Sequence, residues 1–447
     1  MPTRIVSTVA GDGTADFKDG PAASARFHRP FGVAVHKGNG NVYVADADNH
    51  RIRLISNGQV TTVAGDGNPA WKDGQASSAE FSWPFGVTTR SDGNVHVADG
   101  CNHRIRLISN GQVTTAAGPD YVCEPSGFQE GPASTARLHY PFGVAADSKG
   151  DVYVADTSNH RVRKISGGQV TTVAGDGTPA FADGPAASAR FNSPIGIAVD
   201  DHGKIYVADR DNHRVRVIAG GQVTTVAGDG TPAYKDGPVA SARFHSPCGV
   251  AVDTDGILYV GDSQNHRLRM ISAGQVTTVA GPVTDVGDVA GFQDGDASSA
   301  RFSGPWGVVV DGKGNIYVAD SGNHRVRMVS VAPKPVTYLV VPDGDDDYRD
   351  ADPNKELLPR LRVVAQDKSG GPVPGAEVTF TIRPATATSA FPDHRSSCVV
   401  PSTDSNGIAT ADVLTAGPAP GDLKVEATAA EDKASFVFHV KVNGAKK

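Results

Sequence analysis

The sequence is short of cysteine, of aromatic residues and of long apolar runs. Its 447 residues include 4 Cys, and aromatic residues make up 6% of the chain. Four cysteines are too few to hold a chain of this length together, so they do not fix a redox compartment. A helix that crosses a bilayer needs about 20 predominantly apolar residues, and no run approaches that length. We therefore expect no membrane span.

An excess of positive charge is also missing. The formal net charge is -7 at pH 7, whereas nucleic acids and anionic membranes attract basic surfaces. Lys and Arg recur at equivalent positions of an internal repeat, beside many Asp residues, so we expect no nucleic acid partner. No signal peptide is visible ahead of the first predicted strand, which begins near Arg4.

The chain is rich in glycine instead, and one short motif recurs six times. The pattern Asp-x-x-Asn-His-Arg begins at Asp46, Asp99, Asp156, Asp209, Asp262 and Asp320. Successive Asn residues of the motif are 53, 57, 53, 53 and 58 residues apart. A nearly fixed period of this length is the signature of a repeat architecture.

Each repeat predicts four short strands. In the fourth copy, the segments 196–200, 204–208, 214–218 and 222–227 are strand-like, and tight turns separate them. Four antiparallel strands within 53 residues are typical of one propeller blade. Six copies therefore predict an all-β fold, with a six-bladed β-propeller over residues 1–332.

A second motif predicts how the ring closes. Thr-Thr-Val-Ala-Gly begins at residues 61, 171, 224 and 277, and a variant begins at residue 114. The related segment Ser7-Thr8-Val9-Ala10-Gly11 precedes the first blade, and the last blade lacks such a strand. We expect the N-terminal strand to complete the last blade, because a closed ring leaves no long exposed sheet edge.

These motifs resemble the NHL repeats of six-bladed propellers. The resemblance rests on Asn-His-Arg in every copy, on Pro-x-Gly at the first strand and on Tyr-Val-Ala-Asp before the turn, and it covers about residues 4–331. That family contains scaffolds, RNA binders and enzymes. The resemblance therefore implies a fold and leaves the function open.

The residues after the repeats predict a second domain. Pro333-Lys334-Pro335 is typical of a stiff linker, taken as residues 333–336, and alternating strands over 337–447 predict a β-sandwich. The segments 367–375 and 403–407 resemble the bacterial Ig-like domains of invasin and intimin type. This resemblance implies a spacer or adhesive module and favours an exported or cell-surface location.

An acidic run in the second domain is a candidate calcium site. It comprises Asp343, Asp345, Asp346, Asp347, Asp350 and Asp352. Tyr348 and Asn354 stand where an EF-hand-like loop needs Gly and a bidentate Glu. A solvated acidic loop is the interpretation that we favour.

The six copies serve as a comparison within the chain. A residue present in all six is expected to build the blade, so the Asp-x-x-Asn-His-Arg turn is interpreted as structural. Its Asp is expected to cap the turn, its Asn to adopt left-handed geometry, and its six His to have no catalytic role. These turns and the six long loops between blades share one face, which we call the long-loop face. Function is expected there.

Each long loop holds an aromatic residue followed by an acidic one. The aromatic residues are Phe17, Trp71, Phe128, Phe181, Tyr234 and Phe292. We expect Asp19, Asp73, Asp183, Asp236 and Asp294 to cap a helical turn and the aromatic rings to pack against it. The alternative is a ring of aromatic residues that stack on sugars.

The positions before each Pro-x-Gly vary between blades. His28, His139 and His245 fall in alternate blades, and three His residues are a typical zinc ligand set. Peptidyl-hydroxyglycine lyases of the resembled family bind zinc through His residues that directly follow the Pro. This chain has Phe31, Phe85, Phe142, Ile195, Cys248 and Trp306 there, which argues against that chemistry. The alternative is that the three His residues are polar residues at the rim.

The same apolar set is expected to pack the propeller axis. Two loops, 118–140 and 281–304, are longer than the others and face each other across that axis. A groove between them, with Arg29, Trp83 and Tyr140 nearby, is the predicted ligand site, together with the three histidines. A disulfide between Cys101 and Cys123, which lie on the same face, is a further hypothesis.

The first functional hypothesis is a binding or scaffold protein without a cofactor. Its long-loop face would bind a protein, peptide or glycan. The alternative is a metal-dependent lyase or hydrolase with zinc or calcium near the axis. The mostly apolar lining of the axis favours binding, and whether the protein is an enzyme stays open.

Overall fold

The structure of the protein is a computed structural model, which describes residues 3–119, 126–283 and 289–332. Beyond these it describes 338–340, 348–351, 362–366, 373, 378–383, 397–400, 403–404, 408–410, 421–429 and 435–442. The chain divides into two compact units, Met1–Val331 and Ala332–Lys447. The predicted linker 333–336 lies outside the described residues, as does Cys123.

The first unit is a six-bladed propeller, as predicted. Each blade is an antiparallel sheet of four strands, and a two-residue fifth strand pairs at its outer edge. The innermost strands are Pro30–Val35, Pro84–Thr89, Pro141–Ala146, Pro194–Val199, Pro247–Val252 and Pro305–Val310. The second strands are Val42–Asp46, Val95–Asp99, Val152–Asp156, Ile205–Asp209, Leu258–Asp262 and Ile316–Asp320.

The outer part of each blade begins after the Asn-His turn. The third strands are Arg51–Ser56, Arg104–Ser109, Arg161–Ser166, Arg214–Ala219, Arg267–Ser272 and Arg325–Val331. The fourth strands are Gln59–Ala64, Gln112–Ala117, Gln169–Ala174, Gln222–Ala227, Gln275–Ala280 and, in the sixth blade, Arg4–Ala10. The two-residue strands are Gly20–Pro21, Gly74–Gln75, Gly131–Pro132, Gly184–Pro185, Gly237–Pro238 and Gly295–Asp296.

The N-terminal strand closes the ring. Arg4–Ala10 pairs antiparallel with Arg325–Val331, and Ile5 lies opposite Ser330. The same strand pairs on its other side with Gly295–Asp296. The sixth blade therefore contains strands from both ends of the propeller, which confirms the predicted closure.

Short 3-10 turns separate the second and third strands. They are Ala47–Asn49, Gly100–Asn102, Thr157–Asn159, Arg210–Asn212, Ser263–Asn265 and Ser321–Asn323. Two further turns, Ala22–Ser24 and Ala76–Ser78, lie in the long loops of the first two blades. Within the described residues no helix has the length and apolar character that a membrane span requires.

The core lies between neighbouring blades. Alternating Val, Ile and Ala residues of adjacent sheets form separate buried clusters around the ring, and a Phe or Leu from the long loop joins each one. At the axis the strands approach closely, because a Cβ atom added to Gly143 would lie 2.1 Å from the carbonyl oxygen of Ile195 in the next blade. A side chain at this glycine would separate the inner strands.

The second unit contains two small sheets in its described residues. Tyr338–Val340, Arg362–Gln366 and Ile408–Thr410 form one of them. Tyr348–Ala351, Ser435–Val442, Gly421–Ala429, Val378–Arg383 and Ser397–Val400 form the other, in that order. The Ig-like assignment of this unit stays a prediction. Most of the acidic run lies outside the described residues, so the candidate calcium loop does as well.

Candidate binding site on the long-loop face

A fully buried arginine anchors the long loop in each blade. Arg53 of the first blade has no exposed side-chain surface, and its Nη1 lies 2.6 Å from Asp46 Oδ2. The other carboxylate oxygen of Asp46 accepts the main-chain N–H of His28, and Asn49 Nδ2 donates to Oδ2. The expectation that Asp46 caps its own turn is therefore wrong, because this turn has no side-chain cap. The carboxylate instead fastens the loop that leads to the candidate site.

The acidic residue of the long loop is a second carboxylate partner of the buried arginine. Asp19 Oδ1 accepts hydrogen bonds from Nε and Nη2 of Arg53. Its Oδ2 accepts from the N–H and hydroxyl of Thr62. No side-chain cap is present at Ala22–Ser24, so the predicted capping role of Asp19 is also wrong. A buried guanidinium needs a partner for each of its donors, and Asp19 supplies two of them.

The third blade departs from this arrangement. Glu130 stands where all five other blades have an aspartate that bonds to Nε of the buried arginine, and its Oε1 accepts the N–H of Thr172. Arg163 Nε is buried and has no hydrogen-bond partner among the described residues. The longer side chain of glutamate thus reaches the neighbouring strand but leaves one donor of the arginine unsatisfied.

The long-loop aromatic residues stack on arginine. The ring of Phe17 lies 3.9 Å from the guanidinium carbon of Arg51 and 4.7 Å from that of Arg53. Equivalent stacking occurs in the other five blades, at Trp71, Phe128, Phe181, Tyr234 and Phe292. These rings were expected to pack against a helical turn, and they pack on a cation instead. The sugar-stacking alternative stays a prediction.

The histidine of each turn links two blades. His50, and not the preceding Asn as expected, adopts the left-handed conformation, with φ 54°. Its Nδ1 accepts the main-chain N–H of Trp83 in the next blade at 3.2 Å. The same bond recurs around the ring, from Arg29 to His324, Tyr140 to His103, Ser193 to His160, Ser246 to His213 and Gly304 to His266. Nδ1 accepts only when it carries no proton, so these histidines are held in the neutral form.

Burial acts in the same direction. It lowers the pKa of His50, His160, His213 and His324, and it lowers the pKa of His103 to about 4. The nearby His139 and Arg104 side chains add to the shift at His103. The six histidines are thus structural acceptors, which agrees with the interpretation that they are not catalytic.

Three of the residues that these histidines hold carry large exposed side chains. Arg29, Trp83 and Tyr140 occupy equivalent positions in the first three blades, and we call them the crescent. Trp83 is 38% exposed and Tyr140 39% exposed. All three adopt left-handed backbone geometry, with φ near 50°. In the remaining blades the same position holds Ser193, Ser246 and Gly304.

Aromatic rings pack against one another at the axis beneath the crescent. Phe85 stacks on Phe142 with ring centroids 3.7 Å apart, and Phe31 lies 4.4 Å from Trp306. The crescent leans on this cluster, since Arg29 lies over Phe31 and Trp83 contacts Phe85 edge to face. Ile195 and Cys248 occupy the equivalent positions on the opposite side. The expectation that this set packs the axis is therefore confirmed.

The predicted zinc ligands do not come together. His28, His139 and His245 each lie against the turn histidine of the preceding blade, with ring centroids 5.5 to 5.7 Å apart. Among the residues that the structure describes, no three or more His, Cys, Asp or Glu side chains form a group that could hold a metal ion. The zinc site stays a prediction, and these distances give it no geometric support.

Sequence comparison between blades missed Asp48. It lies in the variable part of the first turn, and its Oδ2 is 3.4 Å from His28 Nε2 and 3.8 Å from Arg29 Nη1. Its Oδ1 is buried without a partner among the described residues. The fourth blade has an acidic residue, Asp211, at the equivalent position, so the signal was present in the sequence.

The predicted groove is described only in part. Residues 120–125 and 284–288, which belong to its two long loops, lie outside the described residues. Cys101 is half-buried and forms no disulfide within the described part of the chain. Its predicted partner, Cys123, lies outside that part, so the disulfide stays a prediction.

Comparison with known proteins supports this fold. A sequence model for the SMP-30/Gluconolactonase/LRE-like region matches residues 127–343, and a model for the NHL repeat matches residues 27–53. Protein SUPPRESSOR OF QUENCHING 1, chloroplastic, of Arabidopsis thaliana is 29% identical over 287 residues, which are 59% of this chain and 27% of that protein. NHL repeat-containing protein 2 of Homo sapiens is 26% identical over 351 residues, 70% of this chain and 48% of that protein. The chain thus spans about half the length, or less, of these relatives.

A solved structure shows the same architecture. An auxiliary nutrient binding protein from Bacteroides thetaiotaomicron VPI-5482 superposes with a TM-score of 0.56 at 19% sequence identity. The superposition covers 74% of this chain and 77% of that one. At this identity the likeness concerns the fold alone. The chain therefore folds as a six-bladed β-propeller, and parts of its sequence are similar to the NHL repeat and to the SMP-30/Gluconolactonase/LRE-like region.

Proposed function

We propose that this protein binds a protein, peptide or glycan partner on its long-loop face, with Arg29, Trp83 and Tyr140 as the main contacts. One observation carries the proposal. Ser193, Ser246 and Gly304 occupy the same backbone position in the other blades, so the fold does not require large side chains there. Left-handed geometry costs non-glycine residues roughly 1–2 kcal/mol. Ser193 and Ser246 share this geometry, so the backbone belongs to the blade and the large side chains alone distinguish the crescent.

The crescent has the chemistry of a binding surface. Trp, Tyr and Arg are the residues that most often dominate binding energy at interfaces. Each is fixed at its main chain by a turn histidine, and Trp83 and Arg29 also rest on the aromatic axis. A partner therefore meets side chains whose backbone is already ordered, which lowers the entropic cost of association.

The test begins with a glycan microarray and a displayed peptide library, each probed with the whole chain. Ligands that bind are then titrated against Arg29→Ala, Trp83→Ala and Tyr140→Ala. Ser193→Ala and Ser246→Ala change the same position in other blades and serve as controls. We expect the crescent variants to weaken binding by about 10-fold or more, as hot-spot residues do, and the controls to bind normally. Equal affinity in all five variants would contradict the proposal.

A metal-dependent lyase or hydrolase is the second candidate. It is favoured by the pairing of His28 with Asp48, whose second oxygen is buried without a partner among the described residues. It is also favoured by the gluconolactonase-like region over residues 127–343. The test is the zinc and calcium content of protein purified without added metal or chelator. Near-stoichiometric metal that falls in His28→Ala supports the enzyme, and metal-free wild type contradicts it.

A further inference from the structure

The face opposite the long loops contains an axial cavity. Its volume is about 690 Å³, and the second halves of all six inner strands line it. We call it the axial funnel and define it by residues 33–35, 87–89, 144–146, 197–199, 250–252 and 308–310, with the turns 36–40, 90–91 and 311–313. The aromatic cluster at Phe31, Phe85 and Trp306 lies at the other end of the axis. Ligand pockets typically measure about 300–1,000 Å³, so the funnel has room for a small molecule.

The wall of the funnel is rich in hydrogen-bonding groups. Each inner strand is the last strand of its sheet, so its free edge faces the axis. Alternate residues of such an edge direct main-chain N–H and C=O groups away from the paired strand. Thr88 adds a hydroxyl group, whereas the hydroxyl of Thr89 already donates to the carbonyl oxygen of Val35. A molecule with several hydroxyl groups matches this mixture of donors and acceptors.

The mouth of the funnel is basic on one side. Lys37, Arg90 and Lys313 line it from three consecutive blades: the first, the second and the sixth. Asp311 also lines it, but its carboxylate accepts the N–H groups of Lys313 and Asn315 and the side-chain amide of Asn315. The carboxylate of Asp311 is thus engaged by its own turn, and among the three cations Arg90 is paired with Asp92 at 3.3 Å.

The acidic turns of the opposite blades do not line the funnel. Asp200 accepts two main-chain N–H groups and the hydroxyl of Tyr206. Asp253 has the same arrangement with Tyr259. These aspartates therefore stabilise their turns and do not line the funnel, whereas Asp92 pairs with Arg90 on its basic side.

The second blade lacks this hydrogen bond between an aspartate and a tyrosine. It has Arg90 where the third to sixth blades have the turn aspartate and the first has His36, and it has His96 where the other five blades have tyrosine. His96 is 6% exposed, and its Nδ1 is buried without a hydrogen-bond partner among the described residues. The blade loses a structural contact, and the funnel gains a cation. Proteins usually depart from a repeated structural pattern, and accept the loss of stability, at positions that serve a function.

We propose that the axial funnel binds a small phosphorylated sugar. The phosphate would lie against Lys37, Arg90 and Lys313, and the sugar hydroxyls would bond to the free edges of the inner strands. Three cations suit a doubly charged phosphate better than a single carboxylate. This site lies on the opposite face from the crescent and does not depend on it.

Isothermal titration calorimetry on the whole chain at low ionic strength tests the proposal with three probes. They are glucose phosphorylated at its primary hydroxyl, free glucose, and inorganic phosphate. We expect the sugar phosphate to bind more tightly than either of its parts. Its affinity should fall as salt is added, because exposed charges are screened.

Charge removal then locates the site. We expect the affinity for the sugar phosphate to fall by roughly 3- to 10-fold in each of the variants Lys37→Gln, Arg90→Gln and Lys313→Gln. This is the effect of losing one charge-assisted contact. Lys204→Gln is the matched control, since Lys204 lies in an inter-strand turn of the fourth blade and does not line the funnel. Three results would overturn the proposal: no binding at millimolar concentration, inorganic phosphate binding as tightly as the sugar phosphate, or the control variant losing as much affinity as the others.

Discussion

Nδ1 of His103 in the second blade accepts a hydrogen bond of 3.1 Å from the main-chain N–H of Tyr140 in the third. This bond ties an exposed binding candidate to the recurring turn of the neighbouring blade. Because the bond requires a neutral imidazole, the protonation of a histidine opposes the packing of two blades. The same relationship recurs six times around the ring, so the propeller contains six acid-sensitive links.

The first prediction concerns pH. Burial lowers the pKa of His103 to about 4, whereas an unfolded chain binds this proton near pH 6.5. Between these values the unfolded state holds more protons, so the stability contributed by this link is present above about pH 6.5 and is lost as pH falls towards 4. His103→Asn keeps an acceptor that does not titrate, and Asn tolerates left-handed geometry. We expect its Tm to fall less than that of the wild type over this range.

The quantity to measure is the difference in Tm between the wild type and His103→Asn. Burial also raises the pKa of Asp46, Asp156, Asp209 and Asp320 to about 6. A raised carboxyl pKa makes the folded state bind more protons between about pH 4 and 6, which has the opposite sign. Tm is recorded from pH 7 to 4 for the wild type and the variant. The contribution of the aspartates is the same in both and cancels in the difference. Parallel curves would show that His103 titrates alike in both states.

The second prediction concerns the hydrogen bond that Arg163 Nε lacks within the described part of the third blade. Glu130→Asp should supply the missing acceptor to Arg163 Nε and raise the free energy of unfolding by about 1–3 kcal/mol. The reverse exchange, Asp183→Glu in the fourth blade, should remove the same contact from Arg216 and lower it. Urea denaturation measures both. If only the second variant changes stability, the unsatisfied nitrogen of Arg163 has found another partner.

The third prediction concerns the spacing of inner strands. Gly143→Ala places a Cβ atom against the carbonyl oxygen of Ile195, and overpacking of this kind costs about 1–3 kcal/mol. Gly312→Ala is the control, because an added Cβ atom there meets nothing within 4 Å. Thermal unfolding should show a lower Tm only for Gly143→Ala. Equal Tm values would mean that the inner strands can separate without cost.

The fourth prediction concerns closure. A variant that lacks residues 1–10 leaves the edge of Arg325–Val331 unpaired, so we expect a lower Tm and self-association. A synthetic peptide of the missing residues should restore Tm by pairing with that edge. The control peptide carries Val6→Lys, since Val6 is 2% exposed and packs into the last blade. Rescue by both peptides would indicate binding that does not depend on this packing.

Much of the fold follows from the sequence because its pattern is local and repeated. The strands alternate apolar and polar residues, and the fourth-strand motif recurs ahead of the first blade, which was enough to predict the closure at Ser7-Thr8-Val9. Six copies of one unit also separated structural from variable positions. The expectation that Phe31 and its equivalents pack the axis came from that comparison.

The roles of individual polar residues did not follow, since their partners are distant in the chain. Asp19 bonds to Arg53, 34 residues further on, and Arg29 bonds to His324. Local rules assigned Asp19 a capping role because an Asp before small residues usually caps a turn. Nothing in the sequence indicated that the turn histidine accepts a bond from the next blade. The departure at Arg90 and His96 was visible, but its meaning depends on the funnel that the ring creates.

The pairing of Arg4–Ala10 with Arg325–Val331 also sets an order of events during protein synthesis. The first strand of the propeller waits for a partner made more than 300 residues later, which at about 5–20 residues per second is on the order of 15–65 s. Until then the edge of the N-terminal strand stays unpaired in the nascent chain. The strand pairing with the largest sequence separation therefore forms last. Assistance from chaperones on the ribosome therefore matters most for the first and last blades, while the middle blades can fold as they emerge.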